Sequence, residues 1–391
     1  MDLAEVKSEV IDEVAAQREQ LVKLSLKIHS NPELGFEESQ ASKWLADYLA
    51  DKGFSVENGV SGLPTAFRAR YGQGRPAIAL LAEYDALPKL GHACGHNLIA
   101  TIAVGAGTAS RKAIDRFGGS ILVIGTPAEE LLGGKAIMAE LGVFNELDIA
   151  MMVHPGSRNM ATTQTLACQP LDVEFTGRAA HAAACPEEGI NALEAMLLSF
   201  AAINSLRQHT RESCRIHGII TDGGEAANIV PSHSAASLIV RAEDDAYLEV
   251  LKKKVIDCFS GAAKSTGARL SYQWREARYS AMLNNINLAR LFCQNMASLG
   301  RQYLLEADTR NFGSTDMGNV SRLVPAIHPL IAISPPSVVI HSPQFAKAAA
   351  SERGHRGLID GAKALAMTVV DLLGQPETVT MIKEEFASNN G

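Results

Sequence analysis

Three short apolar segments constrain the fold of this chain more than any other feature of its sequence. They span residues 77–82, 120–125 and 149–153 and contain no charged side chain. Uninterrupted apolar strands are typical of parallel sheets that are covered on both faces. The segments between them are long enough for crossover helices, which we predict at residues 98–114 and 135–140. The sequence therefore predicts an α/β fold with a mainly parallel sheet.

Residue types that bind metals follow each of these three segments. They are Asp85, Cys94 and His96 after the first segment, Glu129 and Glu130 after the second, and His154 after the third. Open α/β sheets bind ligands beyond the carboxyl ends of their strands, so we expect these side chains to lie together. Carboxylate, imidazole and thiol groups in this combination favour zinc or a related first-row metal ion. The alternative for the first loop is a turn whose polar groups only cap a helix.

The adjacent carboxylates Glu129 and Glu130 are suited to two different tasks. Neighbouring side chains on an extended or turning backbone point in different directions, so one can bind a metal while the other reaches a metal-bound water. Such a water has its pKa lowered towards about 7, which provides hydroxide at neutral pH. The base then passes its proton to a leaving amine. The alternative is a pair of carboxylates that interacts with a helix dipole.

The number of candidate ligands indicates two metal ions. The candidates are Cys94, His96, Glu130 and His154, joined by a distant histidine that is either His341 or His328. This set exceeds what one tetrahedral zinc uses, so we expect two ions about 3.5–4 Å apart. Sequence spacing alone does not separate the two distant histidines.

Residues 170–281 show a different pattern, which predicts a second domain. Their strands and helices follow the order β-α-β-β-α-β of a ferredoxin-like α+β domain. Elements of the α/β type resume afterwards, so we place a catalytic domain at 1–169 and 282–391 around the inserted domain. A chain of 391 residues exceeds one comfortable core, which agrees with two domains. The remaining elements are predicted as helices at 5–28 and 41–49, a strand at 326–333 and a closing helix at 346–373.

Composition limits the partners and the compartment of the protein. A net charge of −7 and a pI of about 5.9 argue against nucleic acid or an anionic membrane as the main partner. The sequence has no apolar run that would span a membrane, and its acidic N-terminus does not resemble a signal peptide. The six cysteines include no CxxC pair, which favours free thiols in a reducing compartment. We therefore expect a cytoplasmic protein.

A series of segments, in order along more than 300 residues, carries a family resemblance. They read HSNPELGFEE, EYDALP, GHACGHN, TPAEE, GGK, MMVHPG, GRAAHAA, GGEAANIVP, STDMGNVS and HSPQF. In these segments the chain resembles the di-metal aminoacylase and carboxypeptidase superfamily. It looks closest to the branch of the auxin-conjugate hydrolases, aminobenzoyl-glutamate hydrolase and the aminoacylase-like dipeptidase. The resemblance implies a zinc-peptidase-like catalytic domain with a mixed, mainly parallel sheet, interrupted by a lid domain that forms the contact of a homodimer.

The resemblance also implies roles for individual residues. The implied metal ligands are Cys94, His96, Glu130, His154 and His341, which would hold two divalent ions per subunit, Zn²⁺ or Mn²⁺. Glu129 is then the general base, and Asp85 orients a ligand from outside the metal shell. His328 is assigned to substrate binding. Other branches of the superfamily have His-x-Asp where this chain has Glu83-Tyr84-Asp85, so one histidine ligand of those branches is absent.

Three residues of the inserted domain match family positions. His181 matches a histidine that stabilises the oxyanion, often from the neighbouring subunit, and Asn228 and Arg241 match a pair that binds the substrate's carboxylate or carbonyl oxygen. An arginine fork suits a carboxylate, and preorganised donors stabilise a developing oxyanion. The alternatives are structural, since Arg241 can pair with Glu243 or Asp244 and Asn228 can simply turn the chain.

These features predict a metal-dependent amidohydrolase or metallopeptidase. We expect its substrate to be a small N-acyl or N-aminoacyl amino acid or a dipeptide. Two alternatives are a cysteine amidase with Cys94 as the nucleophile, and a non-catalytic binding protein in which the metal is structural. Glu129 beside Glu130 argues against a binding protein, because a structural metal site needs no spare base.

Overall fold

The computed structural model describes residues 3–130, 132–305 and 313–389. Their α-helices are α1 (Leu3–Ala16), α2 (Arg18–His29), α3 (Ser39–Asp51), α4 (His96–Phe117), α5 (Gly134–Glu140), α6 (Ala192–Leu206), α7 (Asp245–Thr266), α8 (Ile286–Ser298), α9 (Met317–Ser321), α10 (Pro343–Ala349), α11 (Glu352–Gly374) and α12 (Pro376–Asn389). Their strands are β1 (Ser55–Asn58), β2 (Phe67–Gln73), β3 (Ala77–Ala82), β4 (Gly119–Gly125), β5 (Ile149–Met151), β6 (His154–Gly156), β7 (Ala167–Thr176), β8 (Arg215–Asp222), β9 (His233–Ala242), β10 (Arg269–Trp274), β11 (Ala326–Ile327) and β12 (Leu330–Ala332).

These residues divide into two compact units. The first lies within Met1–Gln164, Met282–Asn311 and Asp316–Gly391, and the second within Thr165–Ala281 and Phe312–Thr315. Each unit has its own cluster of buried apolar side chains. The second unit therefore interrupts the first in the sequence.

The first unit is built on a six-stranded mixed sheet of order β1-β2-β4-β3-β5-β11. Strand β3 pairs in parallel with β4 and β5, and β5 pairs in parallel with β11. Strands β1 and β2 add an antiparallel edge next to β4. Every residue of β3 and β4 is buried, as expected for strands with both faces covered. The predicted α/β class and the mixed, mainly parallel sheet are confirmed.

Helix α4 lies in the centre of this unit and is buried along most of its length. Two glycines allow the close approach of its neighbours. A Cβ at Gly107 would lie 2.4 Å from Val123 of β4, and one at Gly105 would lie 2.7 Å from Leu21 of α2. A side chain at either position would force its neighbour to shift, so both glycines allow the close packing of α4.

The structure differs from the prediction at His154. The strand predicted at 149–153 ends at Met151, and His154 begins β6, which pairs in parallel with β12 in a separate two-stranded sheet. The strand predicted at 326–333 is accordingly divided into β11 and β12 by His328-Pro329. Proline has no N–H to donate to a ladder. Its carbonyl oxygen instead accepts a hydrogen bond from the His154 N–H at 2.9 Å.

Two helices predicted as continuous are each divided in the structure. The helix predicted at 5–28 becomes α1 and α2 around Gln17, whose buried side chain accepts hydrogen bonds from Tyr48 and Thr108. The closing helix predicted at 346–373 becomes α10 and α11, because Ser351 caps α11 by accepting from the Gly354 N–H. Strands β1 and β2 and helix α12 were not predicted.

The second unit is a four-stranded antiparallel sheet of order β10-β7-β9-β8. Helices α6 and α7 complete the order β-α-β-β-α-β, which confirms the predicted ferredoxin-like α+β pattern. Both helices have N-caps that the sequence supplies, Asn191 for α6 and Asp244 for α7. Across both units, none of the described helices combines the length and the hydropathy that a membrane span requires.

Replacement of Gly107 by alanine tests the packing of α4. We expect Gly107→Ala to destabilise the protein by about 1–3 kcal/mol, because its Cβ would overlap Val123. Gly261→Ala in α7 is the control, since its Cβ would have no atom within 4 Å, and it should stabilise its helix by about 0.5–1 kcal/mol. Thermal unfolding of both variants measures the two effects. If Gly107→Ala and Gly261→Ala changed the free energy of unfolding equally, the packing argument would be contradicted.

Candidate metal centre and active site

The loop between β3 and α4 brings Cys94 and His96 against the segment of His154. His96 is the first residue of α4, and Gly95 before it has a φ of +85°, in the region that favours glycine. A Cβ at Gly95 would lie 2.5 Å from the Pro155 ring. This glycine therefore allows two segments to meet that are about 60 residues apart in the sequence.

The ligand atoms of six side chains come together in three groups. Within each group these atoms lie within 4.8 Å of one another, and the groups are Cys94, His96 and His154; Cys94, Glu130 and His341; and His96, Glu129 and Glu130. Cys94 belongs to the first two groups, and His96 joins the first to the third. The structure thus brings together all five predicted ligands and the predicted base.

The separations within these groups suit metal ligands. Cys94 Sγ lies 3.4 Å from His154 Nε2, and His341 Nε2 lies 3.1 Å from Glu130 Oε1. Two atoms bound to one ion at bond lengths of 2.0–2.3 Å are about 3–3.6 Å apart. The chemistry of the donor set, one thiol with imidazoles and carboxylates, is that of zinc and its first-row neighbours.

The ring orientations of two histidines suit metal binding as well. His96 Nδ1 lies 2.8 Å from the Asp85 carbonyl oxygen and 3.0 Å from Asp85 Oδ1, and His154 Nδ1 lies 2.6 Å from the Pro155 carbonyl oxygen. Metal-binding histidines typically donate one ring N–H to such an oxygen and bind the metal through the other nitrogen. His96 Nε2 and Glu130 Oε1 are buried without a hydrogen-bond partner among the described residues. The residues present therefore fit a metal.

Asp85 connects two of the loops that form the site. Its Oδ1 faces His96, and its Oδ2 accepts a hydrogen bond of 2.9 Å from the Glu130 N–H. Burial alone would raise the pKa of Asp85, but His96 and the hydrogen bonds lower it. The carboxylate is therefore ionised, and it contacts a candidate ligand through each oxygen.

The charges around the cluster favour a cation. Burial alone would lower the pKa of His96, but Glu83, Cys94 and Asp85 raise it well above its ordinary value. Burial raises the pKa of Glu129, and the neighbouring carboxylates raise it further. Buried carboxylates contribute to both shifts, and a divalent ion would offset their negative charge.

The turn that carries Glu129 and Glu130 is held in an unusual conformation. Ala128 has a φ of +60°, which is uncommon for a residue other than glycine. Its N–H donates to Glu38 Oε1 at 2.8 Å, and Glu38 is itself fully buried. Such backbone conformations persist only where surrounding contacts hold them, and they concentrate at functional sites. Glu38 was not predicted as a site residue.

The two distant histidines have different surroundings. His341, with a φ of +66°, is fixed by a backbone hydrogen bond from its N–H to the Ala93 carbonyl oxygen at 2.9 Å and lies beside Glu130. His328 belongs to none of the three ligand groups, although its ring lies 5.3 Å from the His154 ring. Both of its ring nitrogens are buried without a hydrogen-bond partner in the described part of the chain. The geometry therefore favours His341 as the last ligand.

The three predicted residues of the inserted domain lie in the second unit. His181 is exposed, and its Nδ1 accepts hydrogen bonds from the N–H groups of Ala183 and Ala184, both at 3.2 Å. The proton of the neutral ring therefore resides on Nε2, which can donate. The Asn228 carbonyl oxygen accepts from the Ala182 N–H at 3.0 Å, which brings Asn228 and His181 together.

Arg241 does not depend on the acids next to it in the sequence. It donates to Ser314 Oγ at 3.1 Å, while Glu243 and Asp244 both pair with Arg211. Glu243 and Asp244 thus share another arginine partner within the second unit.

A buried group of charges beside the site was missed by the sequence analysis. Lys135 Nζ lies 2.5 Å from Glu83 Oε2 and 2.8 Å from Asp316 Oδ1, and none of the three side chains is more than 1% exposed. Burial alone would lower the pKa of Lys135, but the two carboxylates raise it above its ordinary value. The available signal was the occurrence of all three residues in the segments EYDALP, GGK and STDMGNVS.

Comparisons with known proteins agree with this architecture. Residues 171–267 match the model of a peptidase dimerisation domain. The chain is 39% identical to the Xaa-Arg dipeptidase of Mus musculus, over 97% of this chain and 91% of that protein. It is 34% identical to one of the subunits of the p-aminobenzoyl-glutamate hydrolase of Escherichia coli, over 74% of this chain and 64% of that protein.

A solved structure shows the same fold at lower identity. A dinuclear metal-binding peptidase of the M20 family from Bacillus subtilis superposes with a TM-score of 0.72 and 19% identity, over 92% of this chain and 99% of that one. Fold and sequence together define a hydrolase that acts on amide bonds. The chain belongs to the M20 peptidase family, which confirms the predicted family and enzyme class.

The buried carboxyl group of Glu38 generates a pH-dependent prediction. Burial raises the pKa of Glu38 to about 7, so its contribution to stability is present at acidic pH and is lost as the pH rises through 7. Glu38→Gln keeps an acceptor for the Ala128 N–H but cannot ionise. We expect its stability relative to the native chain to increase by up to about 3 kcal/mol between pH 5 and pH 8.

Urea unfolding at several pH values measures this difference. Glu38→Ala is the matched variant, because it removes the acceptor and leaves the Ala128 N–H unsatisfied, at a cost of about 1–3 kcal/mol. Unlike Glu38→Gln, it should be destabilised at pH 5, and its turnover should fall because the Glu129 turn loses its support. A stability difference between Glu38→Gln and the native chain that does not change with pH would contradict the prediction.

Proposed function

We propose that this protein is a metal-dependent dipeptidase or amidohydrolase with two divalent ions per subunit. One observation supports this most directly: Cys94 belongs to two ligand groups, one with His96 and His154 and one with Glu130 and His341. Two ligand groups that overlap at one residue would suit a pair of ions held close together. The donor set favours Zn²⁺ or Mn²⁺.

The ions and the protein have separate parts in the proposed mechanism. When bound, the ions polarise the amide carbonyl and lower the pKa of the attacking water. Glu129 accepts the proton of that water at its carboxylate and donates it to the nitrogen of the departing amine. Asp85 keeps His96 and the Glu130 backbone in place through its two oxygens. His328 remains assigned to substrate binding, through ring nitrogens that have no other partner among the described residues.

The inserted unit supplies the remaining groups of the proposal. His181 stabilises the oxyanion through Nε2–H, since its Nδ1 is already occupied by two backbone N–H groups. Asn228 and Arg241 bind the carboxylate or carbonyl oxygen of the substrate, for which the guanidinium fork is suited. These three assignments rest on the family positions together with the local hydrogen bonds.

The proposed substrate class is a dipeptide or a small N-acyl amino acid. The similarity to an Xaa-Arg dipeptidase over 97% of the chain makes dipeptides with a C-terminal arginine the first candidates. The similarity to part of an aminobenzoyl-glutamate hydrolase makes N-acyl glutamates the second. Both classes share an amide next to a free carboxylate.

A cysteine amidase that uses Cys94 is less favoured. Cys94 is buried, and burial raises the pKa of its thiol well above the ordinary value. A free nucleophilic cysteine needs the opposite shift, whereas a metal ion deprotonates a coordinating thiol outright.

The role of Glu129 is tested by Glu129→Gln. Because glutamine cannot transfer the proton, we expect kcat to fall by about 10²–10⁴-fold with nearly two ions still bound per chain. Metal content by mass spectrometry and hydrolysis of Xaa-Arg dipeptides, p-aminobenzoyl-glutamate and N-acyl amino acids are measured on both proteins. A native chain that hydrolyses amides after removal of its metal would refute the mechanism and favour Cys94. Metal-loaded protein that hydrolyses none of these compounds would refute the substrate class.

We also propose that the second unit forms a homodimer through β8. This strand lies at the edge of its sheet and exposes Ile219 and Ile220, with exposed fractions of 66% and 36%. Leu197 and Leu198 of α6 are each 45% exposed in the same unit. An edge strand with exposed apolar side chains is a template for pairing with another chain along its outer side. The match to a peptidase dimerisation domain supports this surface.

Ile219→Lys tests the dimer, because a lysine on an edge strand opposes pairing. We expect this variant to sediment as a monomer under conditions in which the native chain sediments as a dimer. Met381→Lys, at a 47% exposed position of α12 in the first unit, is the control and should remain dimeric. A monomeric native chain, or a dimeric Ile219→Lys, would refute this interface.

A further inference from the structure

The short helix that follows the candidate ligand His341 needs hydrogen-bond donors from elsewhere in the protein. Helix α10 begins at Pro343, and the last four carbonyl groups of a helix have no donor within it. In a regular α-helix the Ala350 N–H would donate to the Ala346 carbonyl oxygen. It donates to the Lys347 carbonyl oxygen instead, at 3.3 Å. The Ala346 oxygen is therefore left for a donor outside the helix.

His29 supplies that donor. It is the last residue of α2, and its Nε2 lies 2.9 Å from the Ala346 carbonyl oxygen. Because a carbonyl oxygen only accepts hydrogen bonds, His29 carries a proton on Nε2. Its ring also faces that of His92 in the loop that leads to Cys94, with the ring centroids 6.0 Å apart. His29 thus connects α2 to α10 beside the loop of Cys94.

Asn97 contacts the last residue of the same helix. It follows His96 in α4, is buried, and donates from Nδ2 to Ser25 Oγ at 2.9 Å. The same Nδ2 lies 3.4 Å from the Ala349 carbonyl oxygen, which is a long hydrogen bond. Helix α10 is therefore bonded both to α2 and to the start of α4.

Packing places α10 against the loop that carries two of the candidate ligands. Phe345 of α10 is fully buried, and a Cβ at Gly95 would lie 3.5 Å from its ring. The His341 N–H donates to the Ala93 carbonyl oxygen in the same loop. The His341 side chain itself is 49% exposed, so its own packing contributes little to its position. Its position depends on the helix that follows it.

We propose that His29 is a positioning residue for the metal ligand His341. By bonding the Ala346 carbonyl oxygen, with support from Asn97, it holds α10 and thereby His341 against the loop of Cys94. His29 belongs to none of the three ligand groups, so it acts through His341 and not as a ligand. This inference rests on the proposed dimetal site and gives a role to the first residue of the segment HSNPELGFEE.

Two substitutions of His29 differ only in the reach of one donor. His29→Gln keeps an N–H donor at a similar reach, whereas His29→Asn carries the same amide on a side chain that is one methylene shorter. His341→Ala is the reference for loss of the ligand itself.

Asn285→Asp is the control for a general loss of stability. Asn285 Nδ2 donates to the Ile382 carbonyl oxygen of α12 at 2.9 Å, and its Oδ1 caps α8 by accepting from the Leu288 N–H. Aspartate keeps the cap but cannot donate to Ile382. Neither α8 nor α12 contains a candidate ligand.

Metal binding is measured without reference to activity. Each purified protein is dialysed, its metal is counted by mass spectrometry, and its affinities for Zn²⁺ are measured by competition with a chromophoric chelator. The absorption spectrum of the Co²⁺-loaded proteins reports the ligand shell, and thermal unfolding of the metal-free proteins compares their stabilities.

We expect His29→Asn to retain one ion with native affinity and to bind the other about 10–100-fold more weakly. Its Co²⁺ spectrum should shift towards that of His341→Ala. His29→Gln should bind both ions with nearly native affinity and restore the native spectrum. Asn285→Asp should unfold at a lower temperature without a change in either affinity. If His29→Asn does not fold, His29→Leu, which also lacks the donor, takes its place.

Equal weakening of both ions in His29→Asn, or failure of His29→Gln to restore the second ion, would overturn the inference. Loss of the same ion in Asn285→Asp would also overturn it, because the loss would then follow stability and not the position of His341. A native chain that binds no metal would refute the proposed dimetal site itself. Two tightly bound ions in both the native chain and His29→Asn would refute only the positioning role.

Discussion

The arrangement of the site depends on the buried carboxylate of Asp85. One oxygen faces His96 at the start of α4, and the other accepts from the Glu130 N–H in the turn after β4. The two strands that carry these segments, β3 and β4, are paired in parallel, so their carboxyl ends lie at the same edge of the sheet. Because it contacts both segments, Asp85 fixes the position of the His96 ring relative to the backbone of Glu130.

Burial of so many acids connects metal binding to folding. Glu83, Asp85, Glu129 and Asp316 are buried around a single buried ammonium, that of Lys135. An uncompensated buried charge costs several kcal/mol, and the four carboxyl groups outnumber the Lys135 ammonium and the His96 ring that faces Glu83 and Asp85. Divalent ions would supply the missing positive charge. Because the ligands come together only in the folded chain, metal binding and folding of the first unit are expected to be coupled.

The parts of the structure that the sequence predicted are those with a strong local pattern. Strands β3 and β4 are continuous apolar runs, and the candidate ligands are reactive residue types at strand ends. Strand β2 was missed because FRARYGQ carries charged side chains and is only partly buried, so it lacks the continuous apolar run that marks β3 and β4. The break at His328-Pro329 was missed because strand propensity extends across it, and only pairing with β6 reveals a second sheet.

The role of Lys135 could not be predicted for a different reason. A lysine near the start of a helix is usually solvated, and nothing in its neighbourhood in the sequence indicates burial. Its two partners are 52 and 181 residues away, so the ion pairs exist only in the folded chain. Glu38 is comparable, because its partner Ala128 is 90 residues away and is bound through the backbone. Residue type is enough to predict the candidate ligands, whereas the residues that support them are defined by tertiary contacts.

The exposure of the ligands indicates from which side a substrate approaches. The side chains of His96 and Glu83 have no more than 1% exposure, and Cys94 and His154 are also buried. On the other side of Cys94, the His341 side chain is 49% exposed and that of Glu130 is 14% exposed. In the proposed mechanism, a substrate carbonyl would therefore reach the group of Glu130 and His341 first, and Glu129 is the residue next to Glu130 in the chain. The buried residues around His96 would position the metal and balance its charge. Bond cleavage is expected at the accessible residues, Glu130 and His341.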